Sequence, residues 1–265
     1  MKRLLIRPGG IGDCILCFPA MEALRAEYTE VWVPSAVAPL VHFADQVRSI
    51  ASTGLDLFGL PDMEAPPRLQ NRLRDFDEIV SWYGTKRPEF REAIAGLGVR
   101  ARFLNALPDG AGLHAADFFA MQVGAPVPAV PHVAVPPIPN ASFWLHPFSG
   151  GKKKNWPYER FELLARRLST KAPVEWAESH AGHRFPDLNE LARHLAGARA
   201  YVGNDSGITH LAAATGVPTV ALFGSTDPQV WSPRGARVTV LKANDLAGIT
   251  VDEVLEAVMK LDSSA

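Results

Sequence analysis

Residues 198–228 read ARAYVGNDSGITHLAAATGVPTVALFGSTDP. Two apolar runs within them, residues 200–203 and 219–223, have the near-continuous hydrophobicity of parallel strands covered on both faces by helices. Between the runs, Asn204-Asp205-Ser206-Gly207 makes a polar turn, and a short helix follows that ends near Gly216. α/β proteins place ligands where a strand gives way to a helix in this manner. The first N–H groups of the helix lack internal partners and sit at the positive end of its dipole, so an anion is favoured there. Gly207 lets a ligand approach the backbone, Ser206 offers a hydroxyl, and His210 faces the same way about one helical turn later. The same residues also fit a plain N-cap, with Asp205 or Ser206 closing the helix and His210 packed beneath it.

The N-terminus has the same plan. A strand at residues 2–7 (KRLLIR) runs into Pro8-Gly9-Gly10-Ile11-Gly12-Asp13 and then into a helix over residues 14–28. The glycine spacing is neither the dinucleotide fingerprint nor a P-loop. Asp13 would repel a phosphate at that helix start; it suits a helix-dipole partner or a base for a neutral hydroxyl. Pro19 inside the helix predicts a kink or a delayed start.

Further strands are expected at residues 30–34, 76–82 and 100–104, and helices at 39–44, 89–95 and 115–123. Residues 49–60 read as a weak strand or turn, and residues 61–67 as a Pro-rich connection. Residues 126–139 hold six prolines, so they continue neither a core helix nor a central strand and read as a domain linker. Beyond it come a strand (143–146), the loop PFSGGKKK (147–154) and an amphipathic helix through Leu168, with Pro157 in its first turn. A strand (174–177) and a helix (188–195) lead back to the opening stretch. The closing helix, 250–261, has Val251, Val254, Leu255 and Val258 on one face. The three lysines of the 147–154 loop are either a solvated run or phosphate contacts.

This βα order in two halves predicts an α/β protein of two Rossmann-like domains facing across a cleft. Residues 1–139, ending in the Pro-rich linker, would form one domain and residues 140–265 the other. Asp13 would stand on one wall; Ser149, Lys154 and the turn from Asp205 to His210 would stand on the other.

The 265 residues, 47% of them hydrophobic and 21% charged, suffice for a substantial core. A net charge of −1 gives no global attraction to nucleic acid. No apolar run reaches the ~18 residues of a membrane span. The two cysteines, Cys14 and Cys17, form a C-x-x-C whose apolar neighbours favour a structural role over a redox one. Reduced cysteines and the lack of a signal peptide point to the cytoplasm. His180 and His183 have no companion ligand nearby and read as a polar loop.

Three segments, GGIGDCILCFPAMEALR, HPFSGGKKKNWPYERFELLA and GNDSGITHLAAATGVPTVALFGSTDP, resemble glycosyltransferase family 9, the ADP-heptose:lipopolysaccharide heptosyltransferases. The resemblance implies a GT-B fold, with residues 1–139 as the acceptor side and residues 140–265 as the nucleotide-sugar-binding side. It implies inverting transfer of a heptose or related sugar from an ADP-sugar to a hydroxyl of a lipopolysaccharide core or similar glycan. Asp13 then matches the general base, with Gly12 beside it on the acceptor side, and Lys154 a contact to donor phosphate, with Ser149 in the same loop. Asp205, Ser206 and Gly207 match the turn that holds the diphosphate, with His210 following. Glu178 matches the acidic residue on the donor ribose, although Trp176-Ala177-Glu178-Ser179 replaces the usual Gly-Gly-Pro-like turn.

Lys86, Arg87 and Arg91 are candidates for the phosphates of an acidic acceptor, or else an exposed solvated face. No acidic pair of the DxD type follows a strand, so no metal or cofactor is expected, and diphosphate charge would meet Lys154 and helix N-termini. The implied partners are an ADP-heptose donor and a lipid-linked or oligosaccharide acceptor, reached from the cytoplasm with peripheral contact at the inner membrane. Competing readings are a glycosyltransferase with another nucleotide-sugar and acceptor, a non-catalytic nucleotide-sugar-binding protein, and a C-x-x-C redox protein.

Overall fold

The structure, a computed structural model, describes residues 1–60, 66–108, 112–178, 185 and 187–263. The first half runs β1 (Lys2–Ile6), α1 (Ile11–Ala23), β2 (Tyr28–Val33), β3 (Gln46–Ser49), α2 (Pro67–Arg74), β4 (Glu78–Ser81), α3 (Pro88–Ala95), β5 (Arg100–Phe103) and α4 (Ala115–Gln122). The second runs β6 (Phe143–His146), α5 (Tyr158–Leu168), β7 (Val174–Trp176), α6 (Leu188–Ala196), β8 (Ala200–Asn204), α7 (Gly207–Thr215), β9 (Thr219–Phe223), α8 (Pro228–Trp231), β10 (Val238–Lys242) and α9 (Val251–Asp262).

Each half holds one parallel sheet, ordered β3-β2-β1-β4-β5 and β10-β9-β8-β6-β7. The strand order reverses beside β1 in the first sheet and beside β6 in the second. Crevices that hold ligands open at the carboxyl ends of strands at such reversals. The Gly-rich loop leaves β1, and the polar turn leaves β8, which is paired to β6. Topology alone therefore carries both sequence-predicted loops to reversal points.

Helices α1 and α7 pack against each other and join the halves. One buried cluster runs from Cys14, Leu16, Phe18 and Met21 of α1 through Phe119 of α4 to Leu211 and Ala214 of α7 and Leu195 of α6. The two helix starts come close enough to require glycine. A Cβ on Gly207 would lie 2.6 Å from Ile11 Cβ, and one on Gly12 would lie 2.7 Å from His210 Cδ2. A second link ties α4 to the other half: Arg234 forks onto the Asp117 carboxylate at 2.5 and 2.6 Å, and His114 Nε2 meets the Ser232 carbonyl at 2.8 Å. Two Rossmann-like units thus face each other across a cleft, the GT-B arrangement.

Several local expectations change. Helix α1 is not delayed by Pro19; it starts at Ile11, earlier than expected, and Pro19 lies inside it. The burial of residues on both sides of the proline outweighs the one hydrogen bond that its ring removes. The helix expected at residues 39–44 is a single 3-10 turn, Ala38–Leu40. The weak strand sits earlier, at Gln46–Ser49, with 3-10 turns after it. Helix α2 begins at Pro67, where the proline suits the first helical position, and the Pro-rich reading of that stretch hid it. Strand β10 is a half-buried sheet edge and lacks the continuous apolar run that marks β8 and β9. Among the described residues, no helix is long and apolar enough to cross a membrane.

Candidate active site

The cleft contains two adjoining cavities. The larger, of about 650 Å³, is lined by His146, Phe148, Ser149, Glu178, Ser206 and Gly207 on the second half and by Ile11, Ser35, Ala36 and Pro39 on the first. The other, of about 640 Å³, is lined by Gly12 and Asp13 from one side and by Lys154, Asp205, Ser206, Gly207 and His210 from the other. Ile11, Gly150, Ser206 and Gly207 belong to both. The cavities therefore meet at the start of α7.

At that turn the capping question has a divided answer. Ser206 is the N-cap of α7; its Oγ accepts from Thr209 N–H at 3.4 Å. Asp205 does not cap. Its buried carboxylate pairs through Oδ2 with Lys154 Nζ at 2.7 Å. Lys154 is thus no member of a freely solvated run, since it spans from the 3-10 turn after β6 to the end of β8. The N–H groups at the start of α7 still open onto the cleft with their dipole.

Ser149 serves its own loop: its Oγ lies 2.9 Å from the Gly151 carbonyl and 2.6 Å from Asn155 Oδ1. Asn204, which the sequence did not single out, locks the same region. Its Nδ2 donates to the Pro147 carbonyl at 2.7 Å and its Oδ1 accepts from Trp156 N–H at 2.9 Å.

His210 is buried beside Gly12, and burial pushes its imidazole down to about 4, against the opposing pull of Asp205. It is therefore neutral at neutral pH. Its buried Nδ1 has no hydrogen-bond partner among the described residues.

Asp13 is the third residue of α1, and its Oδ2 accepts from Gly10 N–H at 3.0 Å. The helix-dipole reading of Asp13 is thus real, but it occupies one carboxylate oxygen only. Beneath it lies Arg7, fully buried, a second residue that sequence reasoning passed over. Its guanidinium donates to the main-chain carbonyls of Pro8 at 2.8 Å, Asp13 at 3.1 Å and Ala106 at 3.2 Å. It also stands 4.7 Å from the centroid of the Phe119 ring. Three carbonyls and an aromatic face around one cation hold the whole Gly-rich loop in shape.

The remaining predicted residues separate. Lys86 and Arg87 line neither cavity; Arg87 bonds Glu89 at 2.9 Å and the Tyr83 hydroxyl, and stacks on the Tyr83 and Phe90 rings. Arg91 lies over Phe103. Cys14 and Cys17 are free and buried, and desolvation pushes both thiols up to about 12. They lack the accessible thiolate that redox chemistry needs. His180 and His183 lie outside the described residues.

The sequence model of glycosyltransferase family 9 (heptosyltransferase) matches residues 186–255. "Lipooligosaccharide heptosyltransferase 2" of Haemophilus influenzae is 31% identical over 117 residues, 35% of this chain and 33% of that protein. "Lipopolysaccharide heptosyltransferase 1" of Pseudomonas aeruginosa is 60% identical over 93 residues, 28% of this chain and 26% of its own length. The aligned stretches thus span a third or less of these relatives. In three dimensions the chain is similar to E. coli ADP-heptose lps heptosyltransferase II with a TM-score of 0.75 and 19% identity, over 100% of this chain and 99% of that one. The resemblance to glycosyltransferase family 9 read from the sequence is thereby shown, with residues 186–255 as the part that the family's own model matches.

Proposed function

We propose that the protein transfers a heptose or closely related sugar from an ADP-sugar to a hydroxyl of a lipopolysaccharide core, with inversion at the anomeric carbon. The observation that carries this reading is the shared cavity. Asp13 from one half and the Lys154–Asp205–Ser206 cluster from the other line the same space. A base and an anion-stabilising set on opposite sides of one void are what a single displacement needs.

In this reading residues 140–265 hold the donor. The nucleoside occupies the larger cavity, with Glu178 toward the ribose, and the diphosphate lies at the Ser206–Gly207 turn. The sugar projects into the second cavity toward Asp13. Residues 1–139 supply the base and the acceptor wall. Asp13 takes the proton of the acceptor hydroxyl as its oxygen attacks the anomeric carbon. The bond from that carbon to the phosphate oxygen breaks, and ADP leaves with the bonding pair. Lys154 and the N–H groups of α7 stabilise the growing charge, and they were in place before the reaction. One carboxylate suffices, unlike the paired carboxylates of glycosidases. No step calls on a metal ion. The acceptor is taken to be lipid-linked and met at the cytoplasmic face of the inner membrane.

A melting-temperature screen with ADP, GDP and UDP tests the donor assignment. A ligand at about a hundredfold over its Kd adds roughly 2.7 kcal/mol to the folded state, a rise of several degrees for a chain of this size. ADP should give the largest rise. A larger rise with UDP or GDP would move the protein to another nucleotide-sugar, and no rise with any would remove the donor site. Anomeric analysis of the product from an ADP-heptose reaction tests inversion.

A further inference from the structure

His146 occupies the carboxyl end of β6, in register with Gly203 of β8, at the point where the second sheet reverses its strand order. It is buried, and it lines the larger cavity between two residues assigned above to different parts of the donor. Its Nδ1 is 3.3 Å from Ser206 Oγ at the diphosphate turn. Its Nε2 is 3.5 Å from Glu178 Oε2 at the ribose end. Chemistry orders the protons along this line. A carboxylate oxygen accepts, so a neutral ring that donates from Nε2 to Glu178 leaves Nδ1 to accept from the Ser206 hydroxyl. Ser206 Oγ keeps lone pairs for Thr209 N–H. Thr209 Oγ1 in turn donates to the Asn204 carbonyl at 2.5 Å.

We propose that His146 is a positioning residue of the donor site, whose two ring nitrogens hold the ribose-binding carboxylate of Glu178 and the phosphate-binding turn at Ser206 at a set spacing. This rests on the donor reading of Glu178 and Ser206. The imidazole is short and stiff, so its two arms are separable by substitution: Asn places an amide where Nδ1 stands, and Gln reaches the place of Nε2.

The test is calorimetry of the full chain with ADP and with 2′,3′-dideoxy-ADP, which lacks the ribose hydroxyls. The wild type should prefer ADP by about tenfold, the scale of a hydrogen bond to a charged group. Glu178→Gln calibrates the ribose arm and should cut that preference to about twofold. His146→Asn should do the same while leaving dideoxy-ADP affinity near wild type. His146→Gln should keep the preference and weaken both ligands by roughly threefold, through loss of the Ser206 arm. Full preference in His146→Asn, or equal behaviour of the Asn and Gln variants, overturns the proposal. Full preference in Glu178→Gln overturns the ribose assignment and the proposal with it, whereas absence of ADP binding to the wild type refutes the donor reading itself.

Discussion

The substitution Asp13→Asn separates the two tasks that the structure gives this carboxylate. Its Oδ2 holds Gly10 N–H at 3.0 Å, and an Asn oxygen can accept the same bond. What Asn loses for the fold is a negative charge at a helix N-terminus, about 0.3–1 kcal/mol. At ~2–4 °C per kcal/mol for a chain near this size, Tm should fall by no more than a few degrees. Asp13→Ala also loses the hydrogen bond to Gly10, and caps of this kind are worth about 0.5–2 kcal/mol, so it should melt lower than the Asn variant. Catalysis should rank the variants differently. An amide cannot take a proton from a sugar hydroxyl, so both should lose about 10²–10⁴ in turnover. ADP affinity should stay near wild type in both, because the charged donor contacts proposed above come from the other half. Turnover is read by coupled detection of released ADP, affinity by calorimetry and stability by thermal melts on the same samples. An Asn variant with wild-type turnover would refute the general-base role and leave Asp13 a helix cap. A large loss of ADP affinity in that variant would show that Asp13 faces the phosphates.

Two further outcomes follow from the second half. Lys154→Ala should lower ADP affinity by about tenfold or more, the scale of a charge-assisted hydrogen bond, and calorimetry checks it; unchanged affinity would mean that Lys154 serves only to neutralise Asp205. His210 makes stability depend on pH. Burial sets its folded value near 4 against 6.5 for the free side chain, so between these values the unfolded chain binds the extra proton. Stability is therefore complete above about pH 6.5 and is lost as pH falls toward 4, by roughly 3 kcal/mol in all. Urea melts of wild type and His210→Gln across pH 4–7 should converge at the acid end, and parallel curves would contradict a buried neutral imidazole.

The sequence carried most of the frame, for a physical reason. Strands buried on both faces must be apolar throughout, so β6, β8 and β9 stand out as short continuous runs, and β6 and β9 were read with their full bounds. The polar turns after such strands stand out by contrast, which is why Asp13, Lys154 and Ser206 could be picked out as candidates to line the cleft, as they do, while local pattern left the role of each open. Residues whose meaning is purely long-range were not. Arg7 looks like the last residue of an ordinary strand; only the fold shows that it is buried beneath the Gly-rich loop. His146 and Asn204 are likewise polar ends of apolar strands, and what they hold lies 60 and 57 residues away along the chain, at Ser206 and Pro147 respectively. Lys86 and Arg87 show how little a local pattern says about charge that is already paired. A basic pair after a strand looks like an anion site, yet the guanidinium of Arg87 is already engaged by Glu89 and Tyr83.

The near-contact of α1 and α7 bears on how one cleft would serve the two proposed substrates. Ile11 approaches Gly207 and Gly12 approaches His210 so closely that a methyl group at either glycine would collide. The seam between the cavities is therefore made by the starts of α1 and α7, with Ile11, Ser206 and Gly207 lining both. The N–H groups at the start of α7 cannot titrate and, held by the helix, cannot swing away, so they form a constant electrostatic feature opposite Asp13, whose carboxylate already occupies the start of α1. A negatively charged bridge between two neutral portions of a ligand fits such a seam best, with one neutral portion in each cavity. A nucleotide-diphosphate sugar has that form, and a simple phosphate ester or a free nucleotide would leave one of the two cavities empty. The two adjoining cavities are thus in keeping with the proposed donor, which has a substituent at each end of its diphosphate.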